Sequence, residues 1–236
     1  MTKALLVHYR KIVEFLGTVL GPDYEVALHD LSSHSREIVA IANGQVSGRT
    51  VGAPLTDLAL KMLVDREYES RDFRANHKAV SKDGKVLRSS TLFIKDESGK
   101  PSGMLCVNFD GSKYAELSDR IMQLCHPNEM IPSRVASSTA DLLRSDTVEN
   151  LSDSISETTE KVLKESLADF GVPVDRLTQE EKLSVVGRLD RKGVFLLKGA
   201  VGQVARELRC SEPSVYRYIA KLHRERGKKL GGAASR

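Results

Sequence analysis

Three cations recur at helical spacing near the C-terminal end, Arg217, Lys221 and Arg224 within "SVYRYIAKLHRERGK". Residues three and four apart share one side of a helix, so Ser214 joins these three on a single face. Val215, Ile219 and Leu222 fall on a different face. One side of such a helix packs while the other neutralises phosphates, and its N-terminal residues are placed to meet base edges. Each phosphate neutralised releases counterions, which ties binding to salt concentration. A second polar set stands in the N-terminal half: His29-Asp30, Asn43, Arg49, Thr56 and Asp57. Arg49 has the donors to clamp a carboxylate, and His29, Asp30 or Asp57 can take an amino or guanidino group. A structural role competes at each position. Thr56 and Asp57 suit a helix cap, and a His-Asp pair at a strand end can satisfy loop amides.

No catalytic constellation emerges. "SGRTVG" lacks the glycine spacing and the strand-to-helix context of a nucleotide loop. No serine sits in a GxSxG elbow, and Cys125-His126 are chain neighbours rather than partners across a fold. Cys106, Cys125 and Cys210 form neither a disulfide framework nor a zinc pattern. Neither metal nor cofactor is expected, and a reducing cytoplasm is the expected compartment. "MTKALLVHYRKIVEFLG" is interrupted by charges, so it reads as an amphipathic helix rather than a signal core, and no run approaches a membrane span.

The elements that must hold these residues follow from hydrophobic period. A helix over residues 1 to about 20 ends near Gly21-Pro22. "YEVALHDL" and "EIVAIANG" read as strands, the second closed by Asn-Gly, before a glycine-rich loop. "LTDLALKMLV" is a helix with apolar positions 55, 58, 59, 62 and 63. A meander from Lys78 turns at "KDGK" and "DESGKP" and stops at Asp110-Gly111. Pro132 to Ser154 is a linker rich in Ser, Thr and Asp, followed by an amphipathic helix in "ISETTEKVLKESLADFG". "TQEE" is a capping box on Thr178 and Glu181, opening a helix that Gly193 caps.

Val201, Val204, Ala205 and Leu208 then form the buried stripe of a short helix, Cys210 and Ser211 make a turn, and the cationic helix follows. From Val174 to Arg236 there are 15 Lys/Arg against 7 Asp/Glu, a net +8, while the whole chain carries only +4. That asymmetry is expected when one end meets a polyanion. The candidate DNA-contacting set is Lys198, Gln203, Ser211, Ser214, Tyr216, Arg217, Lys221 and Arg224. A plain αα-hairpin with a solvated basic face is the competing reading. The fold class is α+β, an antiparallel sheet with flanking helices plus an all-α C-terminal unit. Boundaries are placed at 1–131, 132–173 (linker and possible dimerisation helix), 174–226 and a basic tail 227–236.

"GVFLLKGAVGQVAREL" and "SVYRYIAKL" resemble the C-terminal helix-turn-helix of YheO-like bacterial transcriptional regulators. "VLGPDYEVALHDLS", "IVAIANGQVSGRTVGAPLTDL" and "GKVLRSSTLFIKDESGKPSGMLCVNFD" are similar to that family's PAS-like domain. The resemblance implies a PAS-like domain that senses a small molecule or mediates assembly, with double-stranded operator DNA as partner. One short helix reads too few base pairs for a specific site, so a homodimer or higher homo-oligomer is expected. A repressor of D-arginine utilization belongs to the family, so repression of an amino-acid utilisation operon, with an amino acid as effector, is a further implication. Glu212-Pro213-Ser214 departs from the polar or basic residue and Thr usual at the start of the recognition helix. Two other functions compete: an enzyme with a helical dimerisation unit, and an RNA- or protein-docking module.

Overall fold

The computed structural model describes residues 1–32, 36–124, 149–151, 155–167 and 174–233. Helix α1 (Lys3–Leu20) is capped by the Thr2 hydroxyl, which accepts from the Leu5 amide, and stops at Gly21, whose φ is +87°. Among the described residues six strands follow: β1 (Tyr24–Asp30), β2 (Ile38–Ala42), β3 (Phe73–Val80), β4 (Val86–Lys95), β5 (Pro101–Asp110) and β6 (Glu149–Asn150). They form one curled sheet in the order β2-β1-β5-β4-β3-β6. All neighbours are antiparallel except β6, which runs parallel to β3. The sequence places a linker where β6 lies, and the meander begins at Phe73 rather than Lys78.

Strand alternation gives the sheet two unlike faces. Val26, Leu28, Leu105, Val107, Leu92 and Ile94 pack under α1. The opposite, concave face carries Glu25, Ala27 and His29 from β1 with Cys106 and Asn108 from β5, and all of these are buried. Helix α2 (Asp57–Val64) covers that face. Leu58, Ala59, Leu60 and Met62 are buried around more than one side of α2 because it is also packed from outside.

The outer cover of α2 is the C-terminal helical unit: α4 (Ile155–Leu167), α5 (Gln179–Arg191), α6 (Ala200–Glu207) and α7 (Glu212–Ala233). One apolar cluster joins Leu58, Leu60 and Met62 to Val162 and Leu163 of α4, Val185, Val186 and Leu189 of α5, and Val204 and Leu208 of α6 and its cap. The Thr178–Glu181 capping box is formed on both sides. Gly193 has φ +74°, and a Cβ there would lie 2.9 Å from Val64 Cγ2. A glycine is therefore required both by backbone hand and by the close approach to α2. Helix α3 (Ser112–Leu124), which sequence period did not disclose, has every described side chain exposed. No helix among the described residues is long and apolar enough to cross a membrane.

Candidate nucleic-acid interface and buried polar site

Helices α6 and α7 meet at a tight turn. Arg209 takes a left-handed φ of +48°. The Arg209 amide bonds the Arg206 carbonyl at 3.1 Å, and the Cys210 amide bonds the Ala205 carbonyl at 2.9 Å. This pair of bonds is a Schellman C-cap, built on a residue other than glycine. The Ser211 and Ser214 hydroxyls are 2.9 Å apart, and Arg217 donates to the Ser214 oxygen at 3.1 Å. Val215 is fully buried and Ile219 and Leu222 are half-buried, so the inward stripe of α7 lies where its period places it.

Arg217, Lys221 and Arg224 are exposed and line one shallow groove with Gln179 at the start of α5. Three cations on one rod, facing solvent, are what a phosphate backbone requires. Lys198 and Tyr216 point elsewhere. They line a cleft of about 1120 Å³ together with Arg36 from the N-terminal half and Glu212, Arg206 and His223. Ser211 and Ser214 stand at the entry to α7. Gln203, expected on the DNA side, is instead buried at 9% exposure within the helical unit. Glu212 Oε1 lies against Gly202, 3.0 Å from where a Cβ would be, so this acid is turned toward α6.

The six polar residues expected around a pocket divide. Asn43, left-handed at φ 56°, donates its amide to the carbonyls of Gly17, Gly21 and Tyr24, tying α1 to β1. Asp30 accepts from the Met1 ammonium at 2.7 Å and from Ser32. Asp57 accepts from the Asn150 amide at 3.0 Å and side chain at 2.7 Å, holding β6 in place. Thr56 caps α2 and donates to Glu149 Oε1 at 2.6 Å. His29 and Arg49 are buried on the concave side, where Arg49 donates to the Pro54 carbonyl.

Five further buried residues join them, and sequence reading passed over all five. Glu25 accepts from the Ser47 hydroxyl and, at 2.8 Å, from Asn108 Nδ2. Glu149 Oε2 lies 2.9 Å from His77 Nε2. Burial lifts the Glu25 carboxyl above its usual range, against Ser47, Asn108 and the Arg49 charge. Burial acts on Glu149 in the same sense, but the His77 contact and the Thr56 hydroxyl outweigh it and hold this carboxyl low. Burial drives His29 well below the ordinary histidine range, and the Arg49 charge adds to the effect. The result is a closed interior with an acid, a neutral imidazole, a guanidinium and a paired carboxylate.

The profile of the YheO-like PAS domain matches residues 1–126. The chain belongs to the YheO-like PAS family. A helix-turn-helix profile matches residues 158–220, the span from α4 into α7. YheO of Escherichia coli K12 is 30% identical over 216 residues, covering 91% of this chain and 83% of its own. An uncharacterized protein of Haemophilus influenzae is 29% identical over 224 residues, covering 94% of this chain and 93% of its own. The transcriptional regulator DauR of Pseudomonas aeruginosa is 28% identical over 217 residues, covering 92% of this chain and 94% of its own. Members of the YheO-like PAS family are therefore matched along nearly the whole chain, in both halves and in the same order.

Proposed function

We propose that this YheO-like protein is a DNA-binding transcriptional regulator rather than an enzyme, with residues 174–226 binding DNA and residues 1–131 sensing a small molecule. The observation that carries the reading is the division of α7: Val215 is buried, while Arg217, Lys221 and Arg224 stand exposed on the opposite side of the second helix of a helix-turn-helix. A relative of matching length, DauR, is by name a transcriptional regulator. Repression of an amino-acid utilisation operon in the cytoplasm is the specific form we favour, on the family resemblance of the PAS-like and helix-turn-helix segments.

The protein acts as a homodimer in this reading, because one short helix reads too few base pairs for a specific site. Of the two elements expected to supply the interface, the PAS-like sheet and helix α4, the helix spends Val162 and Leu163 on its own helical unit. Helix α3 is the better candidate. Tyr114, Leu117, Ile121 and Leu124 recur at spacings of three and four and are 52% to 80% exposed. That is the seam of a helix pair.

The test is retention of the protein's own promoter DNA by fluorescence anisotropy across a salt series. Arg217→Ala is expected to weaken specific binding by about 1–3 kcal/mol. Lys221→Ala should lower affinity for every sequence and flatten the salt dependence by about one phosphate contact. Wild-type behaviour of both variants removes α7 as the reading helix.

A further inference from the structure

The polar groups on the first two turns of α7 are not independent of one another. Arg217 reaches back one turn, its Nη2 donating to Ser214 Oγ at 3.1 Å. Ser214 Oγ in turn lies 2.9 Å from Ser211 Oγ, just before the helix. The Ser211 carbonyl accepts from the Ser214 amide at 2.9 Å, which fixes the two hydroxyls relative to each other. Ser214 is half-buried and Arg217 exposed, so the anchor is shielded while the charge is not. Among the described residues Arg217 has no other hydrogen bond and no ion pair.

The three cations of the groove are therefore unlike. Lys221 and Arg224 lie about 6 and 10 Å further along the helix axis. Arg224 Nε meets only the Ala220 carbonyl of its own helix, at 3.5 Å. Arg217 is instead held in one orientation, so it loses less rotamer freedom on binding. Its tether also draws the guanidinium toward the N-terminal end of α7, the end that meets base edges in a helix-turn-helix. Glu212, the acid nearest that end, is turned toward α6.

The donor pattern then names the base. A guanidinium has five N–H donors and no acceptor. Nη2 contributes one hydrogen to each of two forked edges, one edge shared with Nη1 and the other with Nε. Ser214 takes one of these hydrogens, so the other fork stays whole. A fork of two donors needs two adjacent acceptors. In the major groove guanine alone offers that pair, O6 and N7, because adenine sets a donor beside N7, thymine has O4 alone and cytosine presents a donor.

We propose that Arg217 reads a guanine through O6 and N7, and that Ser214 and Ser211 are positioning residues that hold its fork rather than contacts to DNA. This rests on the reading of α7 as the helix that enters the major groove, and adds which base it selects there.

The full-length protein first selects a duplex from a random library. Each guanine of the selected site is then replaced singly by 7-deazaguanine, which removes the N7 acceptor and keeps base pairing, and binding is followed by anisotropy. One guanine in each half-site is expected to carry a penalty of about tenfold. Arg217→Lys keeps the charge and loses the fork, so it should abolish that penalty and leave the salt dependence unchanged. Ser214→Ala should shrink the penalty to about threefold. Its unfolding midpoint and its affinity for unrelated duplexes should match wild type, and Ser214→Thr should restore the penalty. Equal binding of every substituted duplex, or a full penalty in Arg217→Lys, overturns the guanine contact. A full penalty in Ser214→Ala overturns the tether. Salt-sensitive binding with no selected sequence removes this inference and keeps DNA binding, whereas failure to retain any duplex removes the DNA reading itself.

Discussion

Burial and the Arg49 charge keep the His29 imidazole unprotonated well below its ordinary range, whereas the unfolded chain titrates near 6.5. As pH falls below that value the unfolded chain takes up a proton that the folded one refuses. Stability is then lost with a slope approaching 1.4 kcal/mol per pH unit. Urea midpoints are expected to fall between pH 6.5 and 5, and His29→Leu should flatten that limb. An unaltered slope in the variant would show that the ring is solvated. Glu149 acts in a lower window: its folded carboxyl is held below the ordinary 4.5, so its contribution is intact above that value and is lost as pH falls through the folded one. These residues were unequally legible. His29, Arg49 and Thr56 stood out by type in the sequence, but Glu25, His77 and Asn108 sit in the polar phase of alternating strands, which ordinarily faces solvent. Here both faces are covered, one by α1 and one by α2, so the polar phase points inward. Glu149 lay in a stretch rich in Ser, Thr and Asp, where composition argued for a linker.

At the scale of elements, the C-terminal unit was legible because its signals are local: a capping box at Thr178, a left-handed glycine at 193, and apolar stripes in α6 and α7. Strand β6 has two residues, too few for any period, and is held by Asp57, which is distant in sequence. The junction between the halves depends on Gly193. An added methyl group meets Val64 Cγ2 at 2.9 Å and Leu60 Cβ at 3.3 Å, on a backbone whose φ disfavours any side chain. Gly193→Ala is expected to destabilise the protein by about 2 kcal/mol, roughly half from backbone hand and the rest from the clash with α2. Val64→Ala makes room for the methyl group but cannot change φ. In a double-mutant cycle the pair should therefore couple by more than about 0.5 kcal/mol, the double variant recovering the clash and not the strain. Additive costs would mean that the helical unit does not press on α2.

Over the whole molecule, the distribution of apolar surface argues for assembly. A helix of 13 residues with none of its described side chains buried has little reason to persist alone, since isolated helices of that length are marginal in water. Its apolar positions nevertheless form one stripe, and charge lies off it, with Arg120 bonded to Glu116 at 2.6 Å one turn away. Pairing two copies along α3 would cover Leu117 and Ile121 and bring two α7 helices into one particle, as a two-half-site DNA element requires, with centres about 34 Å apart. Leu117→Glu combined with Ile121→Glu places like charges on the seam without touching a core residue. The double variant is expected to sediment as a monomer with an unchanged unfolding midpoint at low concentration. Its specific DNA binding should fall by at least a hundredfold while weak, salt-sensitive binding through Arg217, Lys221 and Arg224 persists. A dimer that survives these substitutions would move the interface elsewhere, with Phe15 and Val19 on the exposed side of α1 the next residues to charge.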